Sequence, residues 1–211
     1  VYPLPPKLSF ERAAMAEPLS VAVHAVNRLQ LRLGETAVVF GAGIIGLLAI
    51  QALRAAGCGR LFAVDVRQER LELAQRLGAD SALCAQGADT PAEIRRLTGG
   101  AGADAAIEAV GVPQTVAQAI NSVRKGGRVA LVGNVSPQAE LPLQAVVTRE
   151  VTLLGCCASA GEYPACLEMI ARGRIDVDPL LSAVAPLAEG AQWFQRLRNA
   201  KENLLKVVLV P

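Results

Sequence analysis

Two features that mark nucleic-acid-binding proteins are missing from this sequence. The chain has 21 Lys and Arg against 19 Asp and Glu, a formal net charge of +2, so it lacks a strongly basic surface for phosphates. Aromatic residues make up only 3% and do not alternate with basic clusters. Nucleic-acid binding normally needs such a basic footprint and often uses aromatic stacking platforms. The composition therefore predicts no nucleic-acid partner.

Long apolar runs are also absent. The longest run, around residues 43–56, is interrupted by Gln51 and Arg54, and a membrane helix needs about 20 continuous apolar residues. We therefore predict no membrane partner. Hydrophobic residues nevertheless make up 52% of the 211 and charged residues 19%, which indicates a large buried core. The length suits one sizeable α/β domain with additional elements.

Cysteine is sparse, and its number is odd. The five cysteines form no C-x-x-C pair, and neighbouring Cys156 and Cys157 cannot easily bridge. No secretory signal pattern is visible, so we expect small buried thiols in a reducing, cytoplasmic setting. The chain begins at Val1 in a proline-rich stretch without methionine, and we expect it to be part of a longer polypeptide.

Apolar, β-branched runs alternate with helical patterns from residue 19 to about 157. Repeated βα units of this kind predict an α/β fold with a parallel, doubly wound six-stranded sheet. A further helix is predicted over 17–31, and the tail from 158 is predicted to hold helices over 161–172 and 187–198 and a strand over 206–210. The predicted sheet strands are 36–40, 60–65, 81–84, 104–108, 127–132 and 150–155, and the helices between them include 44–57, 67–79 and 112–127.

The segment VVFGAGIIG carries three glycines spaced G-x-G-x-x-G: Gly41, Gly43 and Gly46. This fingerprint is weak alone, but a strand precedes it, a helix follows it, and Asp65 closes the next strand 19 positions after Gly46. In dinucleotide-binding loops the first glycine makes the tight turn and the second lets the backbone approach the pyrophosphate. The third lets the helix pack on the sheet. The context predicts a dinucleotide site rather than a simple turn.

The carboxylate of Asp65 is suited to accept hydrogen bonds from the adenosine ribose hydroxyls and to repel a 2′-phosphate. We therefore predict NAD rather than NADP as the cofactor. Arg67, two residues later, could weaken that preference, although a solvated arginine in the first turn of a helix is its simpler interpretation.

Several segments together resemble one family. They are AEPLSVAVHA at 16–25, the glycine loop with Asp65, AIEAVG at 106–111, GGRVALVG at 126–133 and REVTLLG at 149–155. In this order they resemble the zinc-dependent medium-chain alcohol and polyol dehydrogenases, especially the sorbitol dehydrogenase-like branch. The resemblance implies a Rossmann domain (19–157), flanked by segments of an otherwise absent GroES-like catalytic domain (1–18 and 158–211). It implies hydride transfer from a secondary alcohol, such as a polyol, to NAD, with zinc polarising the alcohol.

The resemblance also implies roles for individual residues. Glu17 matches a residue that ligates the catalytic zinc or binds its water, and Arg70 a basic residue near the adenosine ribose. Lys206 matches a basic residue that reaches the pyrophosphate. His24 is the single histidine and is expected to pack or hydrogen-bond, with a role near the cofactor or in proton transfer left open. The remaining cofactor-binding positions are Ile44 and Ile45 at the helix start and Val132, Gly133 and Asn134 beside the nicotinamide.

The sequence departs from the family in lacking the other zinc ligands, and none of its cysteines falls at a family ligand position. The chain is therefore expected to bind NAD but not to turn over substrate alone. The resemblance further implies a homo-dimer or homo-tetramer formed through the edge strand near 150–155. Two alternatives remain: a zinc-free NADPH-dependent reductase of the quinone oxidoreductase type, and a non-catalytic NAD-sensing module.

Overall fold

The computed structural model describes residues 1–199 and 202–211. Six strands form the main sheet and two more form a small second sheet. The strands are β1 Thr36–Phe40, β2 Arg60–Asp65, β3 Ser81–Cys84, β4 Ala103–Glu108, β5 Val123–Leu131, β6 Thr152–Gly155, β7 Leu181–Pro186 and β8 Lys206–Val210. The helices are α1 Phe10–Ala13, α2 Ala16–Leu29, α3 Ile44–Ala55, α4 Gln68–Arg76, α5 Thr90–Leu97, α6 Pro113–Ser122, α7 Leu143–Thr148, α8 Tyr163–Ala171 and α9 Gly190–Asn199.

The main sheet is parallel throughout and has the order β3-β2-β1-β4-β5-β6. This is the doubly wound arrangement that the sequence predicts, with the strand order reversing between β1 and β4. One face packs on α2, α3, α4 and α8, and the other on α5, α6 and α7. Because helices cover both faces, the central strands are apolar on both sides, and Val38 and Val39 are both fully buried.

Salt bridges hold the amino ends of the central strands. Asp104 at the start of β4 accepts hydrogen bonds from the Thr36 backbone N–H (2.8 Å) and from the Arg124 guanidinium (2.6 Å). Burial alone would raise the pKa of Asp104, but these bonds lower it below its ordinary value. Glu35 likewise pairs with Arg128 on β5. These contacts lie at the amino ends of the strands, whereas the glycine loop lies at the carboxyl ends. They therefore stabilise the fold and take no part in the site.

The predicted helix over 112–127 is wrong in its last turn. Helix α6 ends at Ser122, and Val123 begins β5, where it is fully buried and pairs with Ala103. A register shift follows, and a Cβ on Gly127 would lie 2.7 Å from the Val123 Cβ. Gly126 and Gly127 therefore lie in an irregular part of strand β5 and do not end a helix.

Four short elements were not predicted, namely α1, α5, α7 and β7. Helix α5 has a recognisable N-cap, because the Asp89 side chain accepts the Ala92 N–H at 3.0 Å, but only Thr90 and Ile94 on it are buried. Strand β7 exists because it pairs in parallel with β8, and neither strand joins the main sheet. Among the described residues, no helix combines the length and the apolar character required to cross a bilayer.

Candidate functional site

The three glycines of the loop between β1 and α3 have different surroundings. Gly41 has a φ of +93°, and a Cβ there would lie 2.6 Å from Val110 Cγ2. A Cβ on Gly46 would lie 1.7 Å from the carbonyl oxygen of Gly41, so α3 begins in direct contact with the loop backbone. For a Cβ added to Gly43 the nearest atom would be Arg70 Nη1, at 3.8 Å, so this position faces open space. The loop backbone is thus accessible at Gly43 and closely packed at Gly41 and Gly46.

Helix α3 points its amino terminus into this open space. Gly43 is its N-cap, and the half-buried residues Ile44 and Ile45 form its first turn. No side chain caps the helix, so the first-turn N–H groups are free to bind an anion, with the partial positive charge of the helix terminus behind them. Arg70 on α4 adds a guanidinium on the same side, and its buried Nε has no hydrogen-bond partner among the described residues.

The carboxylate of Asp65 lies at the end of β2, beside the same loop. Its Oδ2 accepts the Ala42 N–H at 2.7 Å and its Oδ1 accepts the Arg67 N–H at 2.9 Å. Each carboxylate oxygen has a second lone pair, which leaves acceptor capacity for ligand hydroxyls. Asp65 therefore orders the glycine loop and presents a negative charge to the cleft.

A cleft of about 640 Å³ joins these features at the carboxyl ends of β1, β2 and β4. Gly41, Gly43, Asp65, Arg67 and Arg70 line it. The opposite wall comes from the loop after β4 and the first turns of α6, with residues Ala109, Val110, Val112, Gln114, Thr115 and Gln118. Ligands of open α/β sheets bind at this position, outside the carboxyl ends of the strands where the strand order reverses.

A second cavity, of about 390 Å³, lies at the carboxyl ends of β5 and β6. Val132, Gly133 and Asn134 form one wall, and the residues from Gly155 to Ala158 form the other. Val21 on α2 lies between them. Burial raises the pKa of the Cys156 thiol on this wall, although Arg28 opposes the change, so the thiol stays protonated at neutral pH. The structure thus brings together the residues that the resemblance assigns to the nicotinamide.

Glu108 is a residue of the site that the sequence reasoning missed. Its fully buried carboxylate accepts the N–H groups of Val110 (2.9 Å) and Gly111 (2.8 Å) and the Thr115 hydroxyl (2.7 Å). Gly111 and Gly133 pack backbone to backbone, since a Cβ on either would lie within 2.3 Å of the other loop. Glu108 therefore holds the loop that separates the two cavities. The sequence did contain a signal of this role, because Glu108 is an acidic residue inside the apolar run that precedes Gly111.

The two residues predicted to contact zinc and the pyrophosphate lie beside each other. Lys206 Nζ at the start of β8 is 3.7 Å from Glu17 Oε2 on the first turn of α2. Glu17 is one helical turn before Val21, which lines the second cavity, and the Glu17 side chain is largely exposed. Within the described ranges, no three His, Cys, Asp or Glu side chains come close enough to hold a metal ion. These residues alone do not fit a zinc site.

His24 has a defined partner. Its Nδ1 lies 2.7 Å from Glu162 Oε1, across 138 residues of sequence. The pair agrees with the predicted hydrogen-bonding role, and His24 does not line either cavity.

The comparisons with known proteins agree with this architecture. A family model described as "Zinc-binding dehydrogenase" matches residues 45–172. Sorbitol dehydrogenase of Bacillus subtilis is 35% identical over 100% of this chain and 60% of its own length. The crystal structure of 2R,3R-butanediol dehydrogenase from Bacillus subtilis superposes with a TM-score of 0.92 at 34% identity, covering 100% of this chain and 60% of that one.

A putative zinc-binding dehydrogenase from Sinorhizobium meliloti 1021, solved bound to NADP, superposes with a TM-score of 0.92 at 26% identity. The superposition covers 100% of this chain and 62% of that protein. The chain therefore spans about three-fifths of the proteins that it matches. The family match, the strand order and the cleft at the point where that order reverses lead to one conclusion: the chain belongs to the zinc-binding dehydrogenase family.

Proposed function

We propose that the chain is the NAD-binding part of a zinc-dependent dehydrogenase that oxidises a secondary alcohol, such as a polyol or sugar alcohol. The observation that carries this proposal is the cleft between Gly43 and Asp65, in which an uncapped helix terminus and a carboxylate face one open space. The relatives named for sorbitol and butanediol support the substrate class.

Each half of a dinucleotide has a matching feature. The pyrophosphate lies over Gly43 and accepts hydrogen bonds from the N–H groups of Ile44, Ile45 and Gly46. Arg70 lies near the adenosine ribose, where its unpartnered Nε–H can donate a hydrogen bond. The adenosine ribose hydroxyls donate to Asp65. The nicotinamide enters the second cavity beside Val132, Gly133 and Asn134. Lys206 lines neither cavity and lies 3.7 Å from Glu17, and we propose that it leaves this contact to reach the pyrophosphate as a point charge.

NAD is the proposed cofactor rather than NADP. The charge of Asp65 repels a 2′-phosphate at close range, and Coulomb repulsion of this kind is strong in a partly buried cleft. One relative was solved bound to NADP, and Arg67 is the residue here that would favour the 2′-phosphate. When bound, the nicotinamide ring supplies the hydride acceptor. The residues around the second cavity orient that ring and exclude water from it.

Zinc belongs to the proposal through the family, with Glu17 as the residue of this chain that would ligate it or its water. The described residues do not assemble the remaining ligands of a zinc site. We assign residues 1–18 and 158–211 to a catalytic domain and 19–157 to the dinucleotide-binding domain. The half-buried β7–β8 pair, which joins no other strand among the described residues, supports this division, because a two-stranded sheet is marginally stable without further strands. The five unpaired cysteines support the cytoplasm as the location.

Paired titrations with NADH and NADPH test the cofactor proposal. We expect NADH to bind, and NADPH to bind at least about tenfold more weakly because of the charge on Asp65. Calorimetry on the purified protein gives both dissociation constants. Equal affinities would remove the NAD preference, and no binding by the natural full-length polypeptide would remove the proposed function. Metal analysis of that polypeptide separates the zinc enzyme from a zinc-free reductase, and turnover separates it from an NAD-sensing module.

The proposed assembly is a homo-dimer, or a homo-tetramer built from such dimers, joined at the free edge of β6. Val135, Leu143 and Val147, in the segment between β5 and β6, expose apolar side chains, and an unpaired strand offers its backbone groups to a symmetry mate. We expect light scattering to give the dimer mass or higher, and Val147→Glu to lower it to the monomer mass. Leu33→Glu, a similar change at an exposed residue away from β6, is the control. A monomer at high wild-type concentration would contradict the assembly.

A further inference from the structure

The single histidine of the chain forms a polar contact that the proposed chemistry does not use. His24 Nδ1 is 2.7 Å from Glu162 Oε1, and the two side chains are only 16% and 10% exposed. An ionised carboxylate can only accept hydrogen bonds, so the ring nitrogen is the donor. Burial alone would raise the pKa of Glu162, but the bonds from His24 and the Ala160 N–H lower it. The carboxylate is therefore ionised at neutral pH, with one hydrogen bond to each of its oxygens.

The position of this pair links it to the second cavity. His24 lies on α2 one turn after Val21, which lines the cavity. Glu162 is the N-cap of α8 and directly follows the segment 156–161. The first residues of that segment form the wall of the cavity that faces α2. The contact between His24 and Glu162 therefore joins the helix on one side of the cavity to the segment on the other.

Cys156 at the start of the wall packs against the core, and its thiol lies beside Arg28 of α2, but the rest of the wall has few anchors. The Cys156 N–H donates to the Leu131 carbonyl at 2.9 Å, which holds the start of the segment. From residue 157 to 161, in the described part of the chain, the one hydrogen bond joins the Ala160 N–H to Glu162 Oε2. Ala158 has a φ of +51°, which a non-glycine residue rarely adopts without support from its surroundings. The carboxylate of Glu162 thus holds the segment with one oxygen and α2 with the other.

We propose that His24 and Glu162 are positioning residues that hold the 156–161 wall against α2 and thereby set the affinity for the nicotinamide half of the dinucleotide. Neither side chain touches the ligand. The inference rests on the proposed dinucleotide site, because it assigns the second cavity to the nicotinamide. It adds that the fit of this cavity depends on a side-chain pair outside it.

The test compares two ligands that differ in the nicotinamide. NADH carries it, whereas ADP-ribose keeps the adenosine, pyrophosphate and second ribose but lacks the ring. We expect His24→Ala to weaken NADH binding about tenfold, the size of one hydrogen bond to a charged group, and to change ADP-ribose binding less than about twofold. His24→Asn places an amide N–H near the position of Nδ1 and is expected to recover most of the NADH affinity.

A matched control is available on the neighbouring helix. Gln51 on α3 donates to the Asp176 carbonyl at 2.9 Å and accepts the Asp176 N–H at 2.7 Å, so it also ties a helix to a distant segment. Gln51→Ala is expected to lower thermal stability while leaving the ratio of NADH to ADP-ribose affinity unchanged. Glu162→Gln removes the charge at nearly constant volume and gives a second variant if His24→Ala does not fold.

The outcomes are distinct. A loss of affinity confined to NADH, recovered in His24→Asn, together with a weaker fluorescence enhancement of bound NADH in His24→Ala, would support the proposal. If both ligands weaken equally, or if only the melting temperature falls, the pair has a structural role and the inference is wrong while the proposed function stands. If the wild-type full-length protein binds neither ligand, the proposed function fails and this inference fails with it.

Discussion

Gly46→Ala is expected to destabilise the folded chain by about 3 kcal/mol or more, the upper range for overpacking a well-packed site. The added Cβ would lie 1.7 Å from the Gly41 carbonyl oxygen and 2.9 Å from its carbonyl carbon. Both contacts are with backbone, so no rotamer change can relieve them, and α3 would have to move off the sheet. Urea denaturation followed by circular dichroism measures the loss.

Gly43→Ala is the matched substitution, three residues earlier in the same loop. Its φ of −75° suits alanine, and the nearest atom to the added Cβ is 3.8 Å away. We expect a stability within about 1 kcal/mol of wild type, the cost of alanine at an N-cap. The methyl group would occupy the space assigned to the pyrophosphate, so NADH affinity should fall at least about 100-fold. A Gly43→Ala protein that binds NADH normally would show that the pyrophosphate lies elsewhere, and a stable Gly46→Ala protein would contradict the packing.

Asp65→Asn is expected to reverse the choice between the two dinucleotides. The side chain keeps its volume and can still accept one of the two N–H groups, from Ala42 or from Arg67. It loses the charge that binds the ribose hydroxyls, and hydrogen bonds to a charged group contribute about 1.5–3 kcal/mol. NADH affinity should therefore fall about 10- to 100-fold, while NADPH binding should improve because the repulsion of its 2′-phosphate is gone.

Calorimetric titration of both dinucleotides into Asp65→Asn and wild type measures the change in preference. Glu69→Gln is the control, because it removes a carboxylate of equal charge from an exposed position four residues further on. Equal shifts in both variants would mean that only the net charge of the protein matters. An unchanged ratio of NADH to NADPH in Asp65→Asn would overturn the role assigned to this carboxylate.

Much of the main sheet could be predicted because its strands are marked locally. Buried parallel strands are short apolar runs. The glycine loop follows one such run and Asp65 ends the next. Spacing alone therefore identified the end of the sheet where a ligand would bind. The weaker elements lack such marks. In α5, the Asp89 cap was available as a signal, but few apolar residues follow it. β7 depends on β8, which begins 20 residues after β7 ends.

Glu108 and Glu162 illustrate what lies beyond a local pattern. Each carboxylate looks like an ordinary acidic residue in the sequence, and each organises a cavity wall only through partners that folding brings to it. The sequence by itself determined the parallel α/β architecture, the glycine loop and its acid, because these depend on the periodicity and backbone freedom of neighbouring residues. Only the tertiary structure decided that Val123 leaves α6 for β5, that Lys206 lies against Glu17, and that His24 meets Glu162, because each is a contact between segments far apart in the chain.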